Sequence, residues 1–211
     1  MSSRTALLVQ DVKALANAVR TSMPPDDVAE MVRALTRQAK ALLDEHTWPG
    51  PHAVEQLAPP GDRRLIWDPS DLRRTIPYSP FLGDLNPTSG KATIGIDGDA
   101  VRGTVTMSPI HAGPIQTVHG GVVAALLDEL TSLAIMAAGH VGYTQTLTVN
   151  YRRPTPLGAE IELWACTAGQ TGKVFLTSAE LRHNGDVTAS AIAVHKVAGR
   201  RDEPVYPTPN R

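Results

Sequence analysis

The stretch that decides the fold is HGGVVAALLDEL at residues 119–130, followed by the largely apolar TSLAIMAAGH. Apolar residues in so continuous a run predict a helix buried inside the protein. Two adjacent carboxylates, Asp128 and Glu129, nevertheless stand in its middle. Because a buried carboxylate is costly without a partner or a task, this core element is also a candidate for chemistry.

The same stretch is nearly long enough to cross a membrane. Residues 121–139 approach the ~20 apolar residues that a span needs, but they include the two carboxylates together with Thr131 and Ser132. Charged groups at the centre of a bilayer are strongly unfavourable. We therefore expect no membrane span and interpret the segment as the core helix of a globular domain.

The composition limits the partners and the compartment. The 211 residues are 42% hydrophobic and 19% charged, which is typical of a globular chain with one sizeable core. The formal net charge of -1 predicts no nucleic-acid partner. Cys166 is the only cysteine, so no intrachain disulfide is possible and a reducing, cytoplasmic location is expected.

Periodicity divides the chain into four parts. Apolar residues at helical spacing predict amphipathic helices over residues 5–20 and 26–45, separated by Pro24-Pro25. Prolines and Arg-Arg turns without any period follow, and an alternating pattern begins after Gly90. The predicted parts are a helical N-terminal arm (1–46), a proline-rich connector (47–90), a β-rich domain (91–198) and an exposed tail (199–211).

The alternating part predicts the fold class. Two short strands joined at Asp97-Gly98-Asp99 precede the apolar helix, and four further strands follow it. A β-β-α-β-β-β-β order with one apolar helix predicts an α+β domain whose antiparallel sheet packs one face on that helix.

The start of the helix predicts a site for an oxygen atom. If the helix begins near Gly121, its first amide groups have no intrahelical partner, and glycines allow a ligand to approach the backbone closely. Together with the positive end of the helix dipole, this suits a polarised carbonyl or an oxyanion. His119, just ahead, is placed to orient the turn or to contact the same ligand.

The spacing along the helix predicts a dimer. Gly121 and Asp128 share one face but lie about 10 Å apart along the axis, so one carbonyl group cannot meet both within a single chain. A second, antiparallel copy of the helix would bring Asp128 of one subunit to Gly121 of the other across a twofold axis. Glu129 lies about 100° further round, where we expect a solvent-facing structural residue.

At this point the sequence resembles a known family. GPIQTVHGGVVAALLDEL and TQTLTVNYRRPTPLG are similar to the PaaI-like group of hotdog-fold acyl-CoA thioesterases, over roughly residues 91–198. The signature of that group is His-Gly-Gly, a carboxylate nine residues after the His, and a hydroxyl residue at the start of the next strand, which ends in a Tyr-x-x-Pro turn. The matching residues are His119, Gly120, Gly121, Asp128, Thr144 and Tyr151-Arg152-Arg153-Pro154.

The resemblance implies a hotdog fold, in which a sheet wraps around a central helix and continues across a homodimer; a dimer of dimers stays open. It also implies an acyl-CoA thioesterase in which the Gly121 amide polarises the thioester carbonyl, with Gly120 beside it at the substrate. Asp128 would then be the general base, or alternatively the nucleophile, and the Thr144 hydroxyl would hold the water. Coenzyme A is part of the substrate, and neither a cofactor nor a metal is expected.

Several alternatives stay open at the level of sequence. Arg152 and Arg153 suit the phosphates of coenzyme A, but a solvated turn explains them equally well. Some members of the family have an Asn where this chain has Gly113, so no side-chain donor is expected there. A non-catalytic acyl-CoA-binding hotdog protein is the main rival function. A hydratase on the same general fold is a third, but it usually needs a His-Asp pair, and apart from His119 the sequence offers no candidate for one. Among substrates, aliphatic chains of short to medium length are favoured.

Overall fold

The alternating segments after residue 90 form one six-stranded antiparallel sheet, as predicted. The protein is seen in a computed structural model that describes residues 3–47 and 66–203. The predicted order β-β-α-β-β-β-β is confirmed. The helices and strands are α1 (Ser3–Thr21), α2 (Asp26–Asp44), β1 (Lys91–Asp97), β2 (Ala100–Thr106), α3 (Gly120–Ala137), β3 (His140–Tyr151), β4 (Glu160–Thr171), β5 (Val174–His183) and β6 (Asp186–Arg200).

The sheet has the strand order β1-β2-β4-β5-β6-β3 and therefore two edges, β1 and β3. The β3 edge consists of twelve residues, which form a ladder with β6 on one side. On the other side, within the part of the chain that the structure describes, its backbone groups meet no strand. Such an edge is a template for pairing with a further strand.

The central helix α3 is the core of the domain. It is apolar and long enough to cross a membrane by length and composition alone, yet strands β2 to β6 all pack against it. Leu127 and Leu130 are fully buried, and burying a leucine contributes about 2 kcal/mol. The predicted α+β class, with the sheet packed on this helix, is confirmed.

A β-bulge changes which face β3 presents to α3. The register with β6 shifts between Thr144 and Thr146, so Gln145 is an extra residue on β3. Leu147 packs against the core, and strict alternation would therefore place Thr144 on the opposite face. The bulge restores Thr144 to the side of the sheet that faces α3, where its hydroxyl contacts the helix.

The N-terminal arm contains the two predicted helices, α1 and α2. Helix α1 lies by the short 3-10 turn Pro109–His111, and Lys13 Nζ donates a hydrogen bond of 2.9 Å to Ser89 Oγ. Helix α2 begins directly after Pro25, and none of its residues is buried.

The described part of the predicted connector, residues 66–90, is irregular apart from the 3-10 turn Leu72–Arg74, in agreement with its lack of period. It is well packed, since Leu72 and Leu82 are fully buried in the core of the β domain. The rest of the predicted connector, up to residue 65, and the tail beyond residue 203 lie outside the described residues.

Candidate active site

The first turn of α3 is capped by the side chain of His119. This residue has φ -58° and ψ 135°, and its Nδ1 accepts a hydrogen bond of 3.0 Å from the amide of Gly121. The cap satisfies one of the unpaired amides of a helix start. The Gly121 amide, which the resemblance implies to be the carbonyl donor, is thus already hydrogen-bonded within the chain.

The neighbouring amide, that of Gly120, meets no acceptor within residues 3–47 and 66–203. Tyr151 holds this glycine from the other side, because its hydroxyl donates a hydrogen bond of 2.9 Å to the Gly120 carbonyl. A Cβ atom at Gly120 would lie 3.6 Å from Tyr151 Cε1, in ordinary contact. The amide available to a ligand oxygen at the start of α3 is therefore that of Gly120.

Asp128 and Thr144 are brought together. The Thr144 hydroxyl donates a hydrogen bond of 2.8 Å to Asp128 Oδ1, although the two residues are sixteen positions apart. Asp128 is half-buried, and its Oδ2 receives no hydrogen bond from the described residues. One carboxylate oxygen is thus fixed by a neutral donor while the other is left for a ligand or a water molecule.

Asp128 and the start of α3 are not brought together within one chain. The helix runs without interruption from Gly120 to Ala137. At a rise of about 1.5 Å per residue, the Gly120 amide and the Asp128 backbone are about 12 Å apart. One thioester group therefore cannot contact both the Gly120 amide and Asp128 of a single subunit.

Glu129 is the carboxylate that burial affects most. Its Oε2 is buried without a hydrogen-bond partner. This burial raises the pKa of Glu129 to about 7, against a hydrogen bond from Ser79 that lowers it, and the nearby Asp128 raises it further. The prediction that Glu129 faces solvent is wrong, because the connector residue Ser79 lies over this side of α3.

Two residues behind Thr144 were missed by sequence reasoning. His195 on β6 is fully buried; its Nδ1 lies 3.4 Å from Thr144 Oγ1 and its Nε2 lies 3.0 Å from Thr177 Oγ1. Burial lowers the pKa of His195, and Asp128 opposes this in part. The only signal in the sequence is an imidazole directly after the apolar run AIAV at residues 191–194.

Arg152 and Arg153 are both exposed at the end of β3. Arg153 forms an ion pair with Asp186, whereas Arg152 has no ion pair among the described residues. The two arginines line a depression of about 290 Å³ together with Gly120 and Tyr151. Arg152 is thus the cation available to an anionic ligand that reaches the start of α3.

No group of three His, Cys, Asp or Glu side chains within residues 3–47 and 66–203 could hold a metal ion.

A six-stranded antiparallel sheet wrapped around a long central helix is the hotdog fold. Residues 115–190 match the model of the thioesterase superfamily. The resemblance to hotdog thioesterases noted in the sequence is confirmed.

Individual proteins similar to this chain agree with that family. This chain is 33% identical over 79 residues to the acyl-coenzyme A thioesterase THEM4 of Xenopus laevis, and the match covers 37% of this chain and 35% of that protein. It is 30% identical over 73 residues to human acyl-coenzyme A thioesterase 13, covering 34% of this chain and 52% of that protein. The matched stretch thus spans about half or less of these relatives.

A solved structure extends the likeness to most of the chain. The crystal structure of a protein described as a thioesterase superfamily protein superimposes with a TM-score of 0.70 at 26% identity, covering 90% of this chain and 94% of that one. Coverage this high reaches into the first 90 residues, so this likeness extends beyond residues 115–190.

Proposed function

We propose that this protein hydrolyses acyl-CoA thioesters as a homodimer, with each active site built from the α3 helices of two subunits. The observation that carries the proposal is the hydrogen bond of 2.8 Å between Thr144 and Asp128, within the stretch that matches the thioesterase superfamily. A carboxylate with one oxygen fixed and one free is arranged as a general base. The names of the similar proteins, acyl-coenzyme A thioesterases, support the substrate class.

In the proposed reaction, the Asp128 carboxylate removes a proton from a water molecule, whose oxygen attacks the thioester carbon. The negative charge that forms on the carbonyl oxygen is stabilised at the start of α3 of the other subunit. Because His119 engages the Gly121 amide, we assign the primary donor to the free amide of Gly120 and the cap to His119 and Gly121. The same geometry would allow Asp128 to act as a nucleophile on the carbonyl carbon.

The dimer is supported by two independent features. The first is the separation of about 12 Å between Gly120 and Asp128, which only a second, antiparallel helix can close. The second is the twelve-residue edge of β3, whose pairing with its own copy would continue the sheet across the twofold axis. We propose that Arg152 binds a phosphate of coenzyme A at the mouth of the site and that Arg153 holds the turn through Asp186.

The remaining expectations are part of the same proposal. We propose four parts of the chain, with the boundaries 1–46, 47–90, 91–198 and 199–211. We also propose a cytoplasmic location and a reaction that needs no added cofactor. A short to medium aliphatic acyl group is the favoured substrate, since only nine of the 211 residues are aromatic.

The test is release of free thiol from acyl-CoA esters of increasing chain length and from an aryl ester. Turnover of the wild type should be lost in Asp128→Asn, with kcat reduced by at least about 10²-fold and KM little changed, because a general base acts mainly in the transition state. Glu129→Gln is the matched control, since it neutralises the adjacent carboxylate and should retain turnover.

Two results would contradict the proposal. Near-normal turnover in Asp128→Asn would remove Asp128 from the mechanism. Tight binding of acyl-CoA by the wild type, detected as thermal stabilisation without any thiol release, would identify the rival function, a non-catalytic acyl-CoA-binding protein.

A further inference from the structure

The side chains behind Asp128 form a connected row that leads from the active site into the sheet. Thr144 on β3 contacts Asp128, His195 on β6 contacts Thr144, and Thr177 on β5 contacts His195. His195 and Thr177 are fully buried, so water does not satisfy them. A buried imidazole whose two nitrogens both face hydroxyl groups has a defined role only if its tautomer is fixed.

The number of protons in the row decides the tautomer. The hydroxyl of Thr144 has one proton, and it donates this proton to Asp128 Oδ1, 2.8 Å away, because a charged carboxylate oxygen is the strongest nearby acceptor. Thr144 Oγ1 can then offer only lone pairs to His195 Nδ1, 3.4 Å away. If Nδ1 carried a lone pair as well, two acceptors would face each other in a buried site.

The other end of the row agrees. Thr177 Oγ1 lies 3.0 Å from His195 Nε2 and 3.4 Å from the carbonyl oxygen of Ala193. The imidazole nitrogen is therefore the nearer acceptor for the single hydroxyl proton of Thr177. With the proton of His195 on Nδ1, Thr177 donates to Nε2 and every group in the row is satisfied. An imidazolium would also satisfy the row, but burial lowers the pKa of His195 and disfavours it at neutral pH.

We propose that His195 is a positioning residue for the proposed thioesterase reaction: as the neutral Nδ1–H tautomer it donates to Thr144 and thereby commits the Thr144 proton to Asp128 Oδ1. The hydrogen bonds then all run in one direction, from Thr177 through His195 and Thr144 to the carboxylate. Oδ1 is consequently occupied, and Oδ2 is the oxygen that takes the proton from water. The effect of His195 on the rate rests on the proposed function, whereas the tautomer of His195 does not depend on it.

The tautomer is measured first, on the wild-type protein without any substrate. In ¹⁵N-labelled protein, long-range ¹H–¹⁵N correlations separate protonated from unprotonated imidazole nitrogens, and the His195 signals are identified by their absence in His195→Asn. The expected result is a protonated Nδ1 and an unprotonated Nε2 at neutral pH. A protonated Nε2, alone or as part of an imidazolium, overturns the inference whether or not the protein hydrolyses thioesters.

Two substitutions then test the effect on catalysis. The amide nitrogen of Asn occupies the position of Nδ1 and can still donate to Thr144, whereas that of Gln occupies the position of Nε2. His195→Asn should therefore keep most of the wild-type kcat, while His195→Gln should lower kcat by about tenfold or more with KM unchanged. A merely structural role predicts the opposite order, because Gln is closer in size to His and leaves the smaller gap in this buried site.

The outcomes separate this inference from the proposed function. If the wild type releases no thiol from any ester, the proposed function fails and the tautomer measurement alone decides the arrangement of the row. If the wild type is active but Asn and Gln lower kcat equally, or if Gln is the better variant, His195 does not position Asp128 through Nδ1.

Discussion

At the scale of single residues, the two adjacent carboxylates of α3 have different environments and different consequences. Asp128 is half-buried beside Thr144, whereas burial and the charge of Asp128 raise the pKa of Glu129 to about 7. The helical position of Glu129 was readable from the sequence, but the packing of Ser79 over it was not. The connector has no repeating pattern of apolar residues, so its sequence does not indicate which face of α3 it covers.

The raised pKa of Glu129 predicts how stability changes with pH. The folded protein holds this proton up to about pH 7, whereas the unfolded chain releases it near the ordinary value of 4.5. Between these values the folded state binds more protons than the unfolded one, so the free energy of unfolding falls as the pH rises, by up to about 3 kcal/mol. Urea unfolding at a series of pH values from 4 to 8 measures this.

Glu129→Gln is the variant that isolates the effect. It has no titrating group, so its free energy of unfolding should lack this decline, and the difference between the two proteins should change most between about pH 4.5 and 7. Parallel pH profiles for the wild type and the variant would show that Glu129 is not the group responsible.

At the scale of elements, the start of α3 predicts which backbone amide binds the carbonyl oxygen. Gly120→Pro removes only the free amide, because the first helical position accepts proline and His119, with φ -58° and ψ 135°, already has the conformation required before proline. Activity (kcat) should fall by about 10²–10³-fold, with the far-ultraviolet circular dichroism unchanged.

Gly120→Ala is the control for that substitution. It keeps the amide, and its Cβ would lie in ordinary contact with Tyr151, at 3.6 Å from Cε1. It should therefore remain active. If the proline variant were as active as the alanine variant, the oxygen would have to bind elsewhere, with Gly121 as the first candidate after rotation of His119.

The elements themselves were largely predictable, because they depend on local periods. Apolar residues at helical spacing identified α1 and α2, a continuous apolar run identified α3, and alternation with turn residues identified the six strands. The bulge at Gln145 was not predictable, since it breaks the very alternation that predicts β3. Thr144 was therefore found through family resemblance, and His195 was missed because its partners come from other strands.

At the scale of the whole molecule, the proposed dimer predicts that two inactive proteins can restore each other. Asp128→Asn and Gly120→Pro would damage opposite halves of the proposed site, which two subunits share. In a hybrid dimer one site carries both lesions and the other carries neither. If half of the dimers are hybrids after random reassortment, each with one intact site of two, activity should recover to about a quarter of the wild-type value.

The measurement is thiol release after the two variants are unfolded together and refolded, with each variant refolded alone as the control. Recovery well above both controls locates Asp128 and Gly120 of one site in different subunits. Mixtures no more active than the separate variants would mean that each chain builds its own site, against the separation set by the rise of α3.

The uninterrupted run of α3 from Gly120 to Ala137 has a consequence for how the proposed enzyme behaves on dilution. A lone chain holds the base and the carbonyl-binding amide too far apart to act together, so it is not a slower catalyst but an incomplete one. Specific activity then follows the fraction of chains that have met a second copy, and it falls once the concentration drops below the dissociation constant of the pair. Under the proposed mechanism, the length of one helix would thereby make the rate per molecule depend on how many molecules are present.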